Sequence, residues 1–141
     1  MVVETRPLAD RTFDDSTTTE LSRPLADAYA TYTKTLYYHW NVRGPHFYSL
    51  HKLFEEQYLE LHDAIDVIAE RVRQLGADTP PFGAPMALLS SVRADTDVPA
   101  ATDMVQGLID AHEAVTQAAR DAVTAAEDEG DVATAYLATE R

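Results

Sequence analysis

His39, His51, Glu55, Asp66 and Glu70 are the residues of this chain whose types and spacing suit chemistry. Two imidazoles with three carboxylates form a ligand set fit for redox-active iron in a helical protein. Neutral nitrogen binds Fe²⁺, and anionic oxygen favours Fe³⁺ over Fe²⁺. Both histidines fall in one tract, His39-Trp40-Asn41-Val42-Arg43-Gly44-Pro45-His46-Phe47-Tyr48-Ser49-Leu50-His51, and Glu55 follows four residues later.

The spacing constrains how these groups can meet. Leu50 to Leu75 contains no Pro or Gly and reads as one helix of about 26 residues, closed by Gly76 at the C′ position. At about 100° per residue, His51 and Glu55 are about 40° apart and Glu55 and Asp66 about 20° apart; Asp66 to Glu70 is another four-residue step. All four therefore share one stripe. Glu55 and Asp66 are nevertheless about 16 Å apart along the axis, at about 1.5 Å per residue. No single metal centre uses both halves of one helix. A second copy crossing antiparallel brings His51 and Glu55 of one chain to Asp66 and Glu70 of the other, and two-fold symmetry makes two such sites. His39, at the end of the preceding helix, completes each.

The run His39-Trp40-Asn41-Val42-Arg43-Gly44, then His51, Glu55, Asp66 and Ile68-Ala69-Glu70-Arg71 before Leu75-Gly76, resembles the Dps family, small ferritin-like proteins that protect DNA in starved cells. The resemblance is strongest over about residues 21 to 80. It implies an all-α, ferritin-like four-helix bundle with a short extra helix between helices two and three. It also implies a ferroxidase centre at a dimer interface, with about two irons per site. Carried over by position, His39, His51 and Glu55 come from one subunit and Asp66 and Glu70 from its neighbour. Many relatives have Asp where Glu55 stands. Trp40 is implied to lie near the metal and quench oxidising radicals; the plainer reading of Trp40, with Tyr37 and Tyr38, is core or interface packing. Taken alone, a His and a Glu four residues apart would belong to a solvated helix face.

Composition sets outer bounds. The chain has 141 residues, 45% hydrophobic, enough for one domain with a core. No apolar run approaches membrane-spanning length, and Met1-Val2-Val3-Glu4-Thr5-Arg6 lacks an apolar signal region. With no Cys there is neither a disulfide framework nor a thiolate metal site. The expected location is cytoplasmic. Acidic residues number 24 against 11 basic, for a net charge of −13, and Lys34 and Lys52 are the only lysines. An acid-rich, lysine-poor surface stays hydrated in strong salt, so a salt-tolerant source is expected, against the plainer reading of an ordinary acidic bacterial protein. The charge also opposes tight binding to nucleic acid, so DNA binding is expected to be weak or absent.

Along the chain, residues 1–15 read as a flexible acidic tail ahead of a ferritin-like domain over 16–141. Unlike the Lys-rich tails with which some Dps proteins bind DNA, this one holds Arg6 and Arg11 against Glu4, Asp10, Asp14 and Asp15. Thr17-x-x-Glu20 fits a capping box, although Pro24 suits a first turn and would start the helix after Ser22 instead. Met86–Val92 is the expected short helix. A third long helix is expected from an N-cap at Thr102 to Gly130, with Val105, Leu108, Ile109, His112, Val115, Ala119, Ala122 and Ala126 facing inward. His112 reads as a hydrogen-bonded core or interface residue and His46 as a loop residue. His62, on the ligand stripe, has a surface or supporting role, with an accessory metal as the sharper alternative. Glu127-Asp128-Glu129-Gly130-Asp131 is an acidic corner: a solvated helix end on the plain reading, an iron-entry pore by resemblance. Asp131–Arg141 should open the fourth long helix, but only about eleven residues remain, so that helix is expected to be incomplete, by truncation or an omitted tail. Tyr136 stands where relatives often carry an acidic residue.

The resulting expectation is a ferroxidase and iron store. It would oxidise Fe²⁺, by resemblance with hydrogen peroxide rather than oxygen, and sequester ferric iron in a homo-oligomer, a hollow dodecamer of two-fold dimers. The competing readings are a DNA-coating nucleoid protein and a metal buffer without a cage.

Overall fold

The computed structural model describes residues 16–140, and the expected tail over 1–15 lies outside them. All regular structure among the described residues is helical: α1 (Ser16–Asn41), α2 (Phe47–Gln74), α3 (Ala84–Leu89), α4 (Ala101–Asp128) and α5 (Val132–Glu140). The Leu21 end of α1 packs with Ile68 and Val72 of α2, Ala122 of α4 and Ala138 of α5. The Tyr38 end packs with Phe54 near the start of α2 and with Met104 and Leu108 near the start of α4. Helix α1 is therefore antiparallel to both α2 and α4, and the long connection from 75 to 100 runs the length of the bundle carrying α3. This is the expected bundle with its short extra helix.

Element boundaries differ from expectation in instructive ways. α1 runs through Pro24 instead of starting after Ser22. Proline in a helix interior costs about 3 kcal/mol or more. Leu21, Leu25, Ala26 and Ala28 around it are almost fully buried, and that packing offsets the cost. The Thr17 side chain of the expected capping box is outside the described side chains. α2 starts at Phe47, one turn before Leu50, because Gly44 takes a positive φ of 110° and turns the chain early. The short helix is Ala84–Leu89, with Met86 in the core.

The inward face of α4 is the largest correction. Met104, Leu108, Ala111, Ala118, Ala122, Ala125 and Ala126 are buried, whereas Val105 and Ile109 are exposed at 38% and 46% and His112 is also exposed. The buried line faces α1. Val105, Ile109 and His112 lie about a quarter-turn further round, on a side where α5, only nine residues long, supplies no cover. They line an open groove against Leu53, Phe54 and Gln57 of α2.

Two polar clusters fix the crossover to α1. The buried Asp27 carboxylate accepts hydrogen bonds from Ser90 Oγ (2.8 Å), the Ser91 amide (2.7 Å) and Ser91 Oγ (2.9 Å). Asp95 accepts from Lys34 Nζ (2.9 Å) and Tyr38 Oη (3.0 Å). Burial, then the bond to Asp95, raise the Tyr38 phenol above its ordinary range. The crossover therefore holds the end of α1 that carries His39.

Candidate metal centre

His39 lies in the last turn of α1 and His51 in the second turn of α2, and a five-residue turn folds one helix back on the other. Their rings stack with centroids 3.8 Å apart and planes 13° apart. Each ring bonds to the other's backbone: His39 Nδ1 to the His51 carbonyl and His51 Nδ1 to the His39 carbonyl, both at 2.8 Å. A carbonyl only accepts, so both Nδ1 atoms carry the proton. In the neutral rings both Nε2 atoms then keep a free lone pair. This is the arrangement by which a backbone carbonyl fixes the tautomer of a metal-binding histidine. The bond from His51 also satisfies one of the carbonyls that a helix C-terminus leaves without a partner.

Aromatic rings hold the pair. Tyr58 meets the His39 ring edge-on at 5.2 Å, and Phe47 stacks on His51 at 5.0 Å. His39 is buried and His51 half-buried above the cluster of Tyr38, Val42, Phe54, Met104 and Leu108. Tyr58 and Phe47 escaped sequence reasoning. For Tyr58 the signal was present: it is seven residues after His51, on the same stripe.

Glu55 follows on that stripe, half-buried, with Lys52 Nζ 3.2 Å from Oε2. The bond to Glu55 raises the exposed Lys52 ammonium above its ordinary range. Asp66 and Glu70 are exposed further along α2. Among the described residues, no three of His, Cys, Asp or Glu gather into a group able to hold a metal ion. One copy of the chain thus brings His39 and His51 together, with Glu55 one turn on, and holds Asp66 and Glu70 apart from them. Trp40, next to His39, is 66% exposed and so is not a core residue of the chain.

The other flagged residues separate cleanly. His62 is exposed on α2, with its ring 6.0 Å from Tyr32. His112 borders the groove instead of filling the core, and the burial it does have lowers its pKa. In the acidic corner, Asp131 turns inward. Its carboxylate accepts from Arg71 Nη2 and the Thr134 amide, each at 3.0 Å, and from Thr134 Oγ1 at 2.5 Å. Burial alone would raise the Asp131 pKa, but the bonds from Thr134 and the Arg71 guanidinium outweigh it and the net shift is downward. Glu127, Asp128 and Glu129 remain exposed. Tyr136 is exposed and donates to Glu140 Oε1 at 2.7 Å.

The helical bundle carries an imidazole pair from α1 and α2 and three candidate carboxylates along α2, and a ferritin-like domain model matches residues 18–141. The fold closely matches solved Dps structures. Dps from Bacillus brevis is 31% identical with a TM-score of 0.83, covering 88% of this chain and 83% of that one. Dps from Vibrio cholerae, described as a member of a broad superfamily of ferritin-like diiron-carboxylate proteins, is 28% identical with a TM-score of 0.85, covering 99% of this chain and 89% of that one. The chain belongs to the Dps family of ferritin-like proteins. Among curated relatives, an uncharacterised low temperature-induced protein of Nostoc is 45% identical over 112 residues, 77% of this chain and 62% of that protein. A DNA protection during starvation protein of Brevibacillus brevis is 37% identical over 95 residues, 63% of this chain and 60% of that protein. The chain thus spans less than two thirds of these two relatives.

Proposed function

We propose that the chain is a miniferritin subunit that binds Fe²⁺ at a site shared by two copies, oxidises it and retains the ferric product within a homo-oligomeric shell. The reciprocal His39–His51 pair carries this reading, because it presents two pre-oriented Nε2 lone pairs on the stripe that holds Glu55. Asp66 and Glu70 of a second copy supply the remaining carboxylates. Iron is the substrate, with two positions per site and hydrogen peroxide as the oxidant. Two Fe²⁺ give one electron each, and the peroxide takes both electrons and two protons to leave water and two Fe³⁺. Removing iron and peroxide together protects DNA without coating it. That agrees with the name of the Brevibacillus relative, while the net charge of −13 opposes DNA coating. Trp40, exposed beside His39, is placed to intercept stray oxidising equivalents. The dodecamer is the assembly we assign to the shell, with Glu127, Asp128 and Glu129 as candidates for an iron-entry passage.

Mixing variants tests the shared site. His51→Ala and Asp66→Ala proteins should each be nearly inactive when loaded anaerobically with Fe²⁺ and given peroxide or oxygen, with ferric absorbance followed. Reassembled heterodimers of the two should regain activity, since one of the two interface sites is then intact. Verified heterodimers that stay inactive would count against shared ligation.

A further inference from the structure

The shared site fixes a register, and the register gives His62 a second role. In an antiparallel pair His51 meets Glu70 and Glu55 meets Asp66. Both pairs have the same midpoint, between Glu60 and Leu61, so the two-fold axis crosses α2 there. His62 lies on the ligand stripe, between His51 and Glu55 in angle. It is about 2 Å along the helix from the axis, and about 9 Å and 14 Å from the two iron centres, at about 1.5 Å per residue. Its counterpart in the second copy is equally close on the other side, so the two imidazoles face each other.

The surroundings prepare such a ring. Its side chain is 67% exposed in the single chain. The Tyr32 ring, 6.0 Å away, lies to one side, and Tyr32 itself is backed by Tyr58 at 6.2 Å. The Asp63 carboxylate lies 3.6 Å from Nδ1. Leu59, 54% exposed one turn away, is the apolar partner that the other copy's α2 would cover.

Resting on the shared-site reading, we propose that the two His62 side chains of a dimer form a further metal site on its two-fold axis. It would be distinct from the iron centres and take one borderline divalent cation of the zinc type through two imidazole nitrogens, with water completing the shell. Two nitrogen donors select such an ion over Ca²⁺ or Mg²⁺, which prefer oxygen.

Calorimetric titration of the full chain with Zn²⁺ should show a His62→Ala protein binding one ion fewer per two chains than the parent. A parallel measurement tests the register. The chain has no cysteine of its own, so His62→Cys should give a covalent dimer under mild oxidation. Glu60→Cys, beside the axis but on the far side of the helix, should not. Cross-linking at His62→Cys with unchanged Zn²⁺ stoichiometry in His62→Ala overturns the axial site and leaves the shared iron site standing. Failure to cross-link overturns the register, and both readings with it.

Discussion

At the scale of single residues, the pair His39 and His51 joins stability to chemistry. Each ring is a latch, since its Nδ1 proton ties the end of α1 to the start of α2, and in the proposed site it is a ligand as well. Substitution should therefore have two readouts. His39→Ala should lower iron oxidation at least tenfold and cost about 0.5–1.5 kcal/mol in denaturant unfolding, from the lost hydrogen bond to the His51 carbonyl between the helices. His39→Asn, whose side-chain amide donates to the same carbonyl, should restore much of the stability and little of the oxidation. Equal recovery of both would remove the ligand role. The residue types of this site were legible in sequence because imidazole and carboxylate chemistry belongs to the side chain itself. Their mutual bonding was not, because it depends on the turn at Gly44 bringing two backbone carbonyls within reach. Trp40 shows the same limit: an aromatic residue next to a candidate ligand reads equally as core or surface until its helix face is fixed.

At the scale of elements, periodicity located helices well and partners poorly. Val105 and Ile109 keep helical spacing with the buried residues of α4, so sequence counts them as core. Burial depends on the helix opposite, which among the described residues is α1 on one side and only α5 on the other. Gly107 carries no signal of its own in the sequence, as a glycine inside a helix usually costs only propensity. Here a Cβ at Gly107 would lie 2.9 Å from the Tyr38 hydroxyl, which is held by Asp95 and buried below the His39 turn. Gly107→Ala should therefore destabilise by about 1–2 kcal/mol, despite the gain of about 1 kcal/mol that alanine brings to an ordinary helix position. In a Tyr38→Phe background the clash is gone and the same change should be neutral or stabilising. A double-mutant cycle in urea reads the coupling, and additivity would refute the contact. The α4–α5 corner makes a prediction about pH. The folded Asp131 carboxyl keeps its charge to lower pH than the unfolded one. Its contribution is thus complete above about pH 4 and lost as pH falls through the depressed folded value. Asp131→Asn should cost about 2 kcal/mol at neutral pH, with the difference from the parent shrinking as pH falls from about 4 into the acid range. A difference constant across that range would show that Arg71 and Thr134 do not act through the charge.

At the scale of the whole molecule, an apolar surface and a large charge pull in opposite directions. The groove between α2 and α4 exposes Leu53, Val105 and Ile109, and contains a buried Gln57 Oε1 without a hydrogen-bond partner among the described residues. Such surface favours association. The net charge of −13 per chain opposes it. Twelve chains in one shell would carry about −156, a self-repulsion acting on every interface at once. Salt shortens its reach from about 10 Å at 0.1 M to about 3 Å at 1 M, and salting-out ions strengthen apolar burial in the same direction. The assembly should therefore tighten in high salt and loosen on dilution. Chelator must be present, because divalent ions held by Glu127, Asp128 and Glu129, or by His62, would mask the repulsion. Light scattering during thermal dissociation over a salt series gives the midpoint directly. Equal midpoints at about 0.05 M and 2 M salt, concentrations at which screening differs severalfold, would mean that the charge is not an adaptation to salt and that the interfaces are held by contacts indifferent to it.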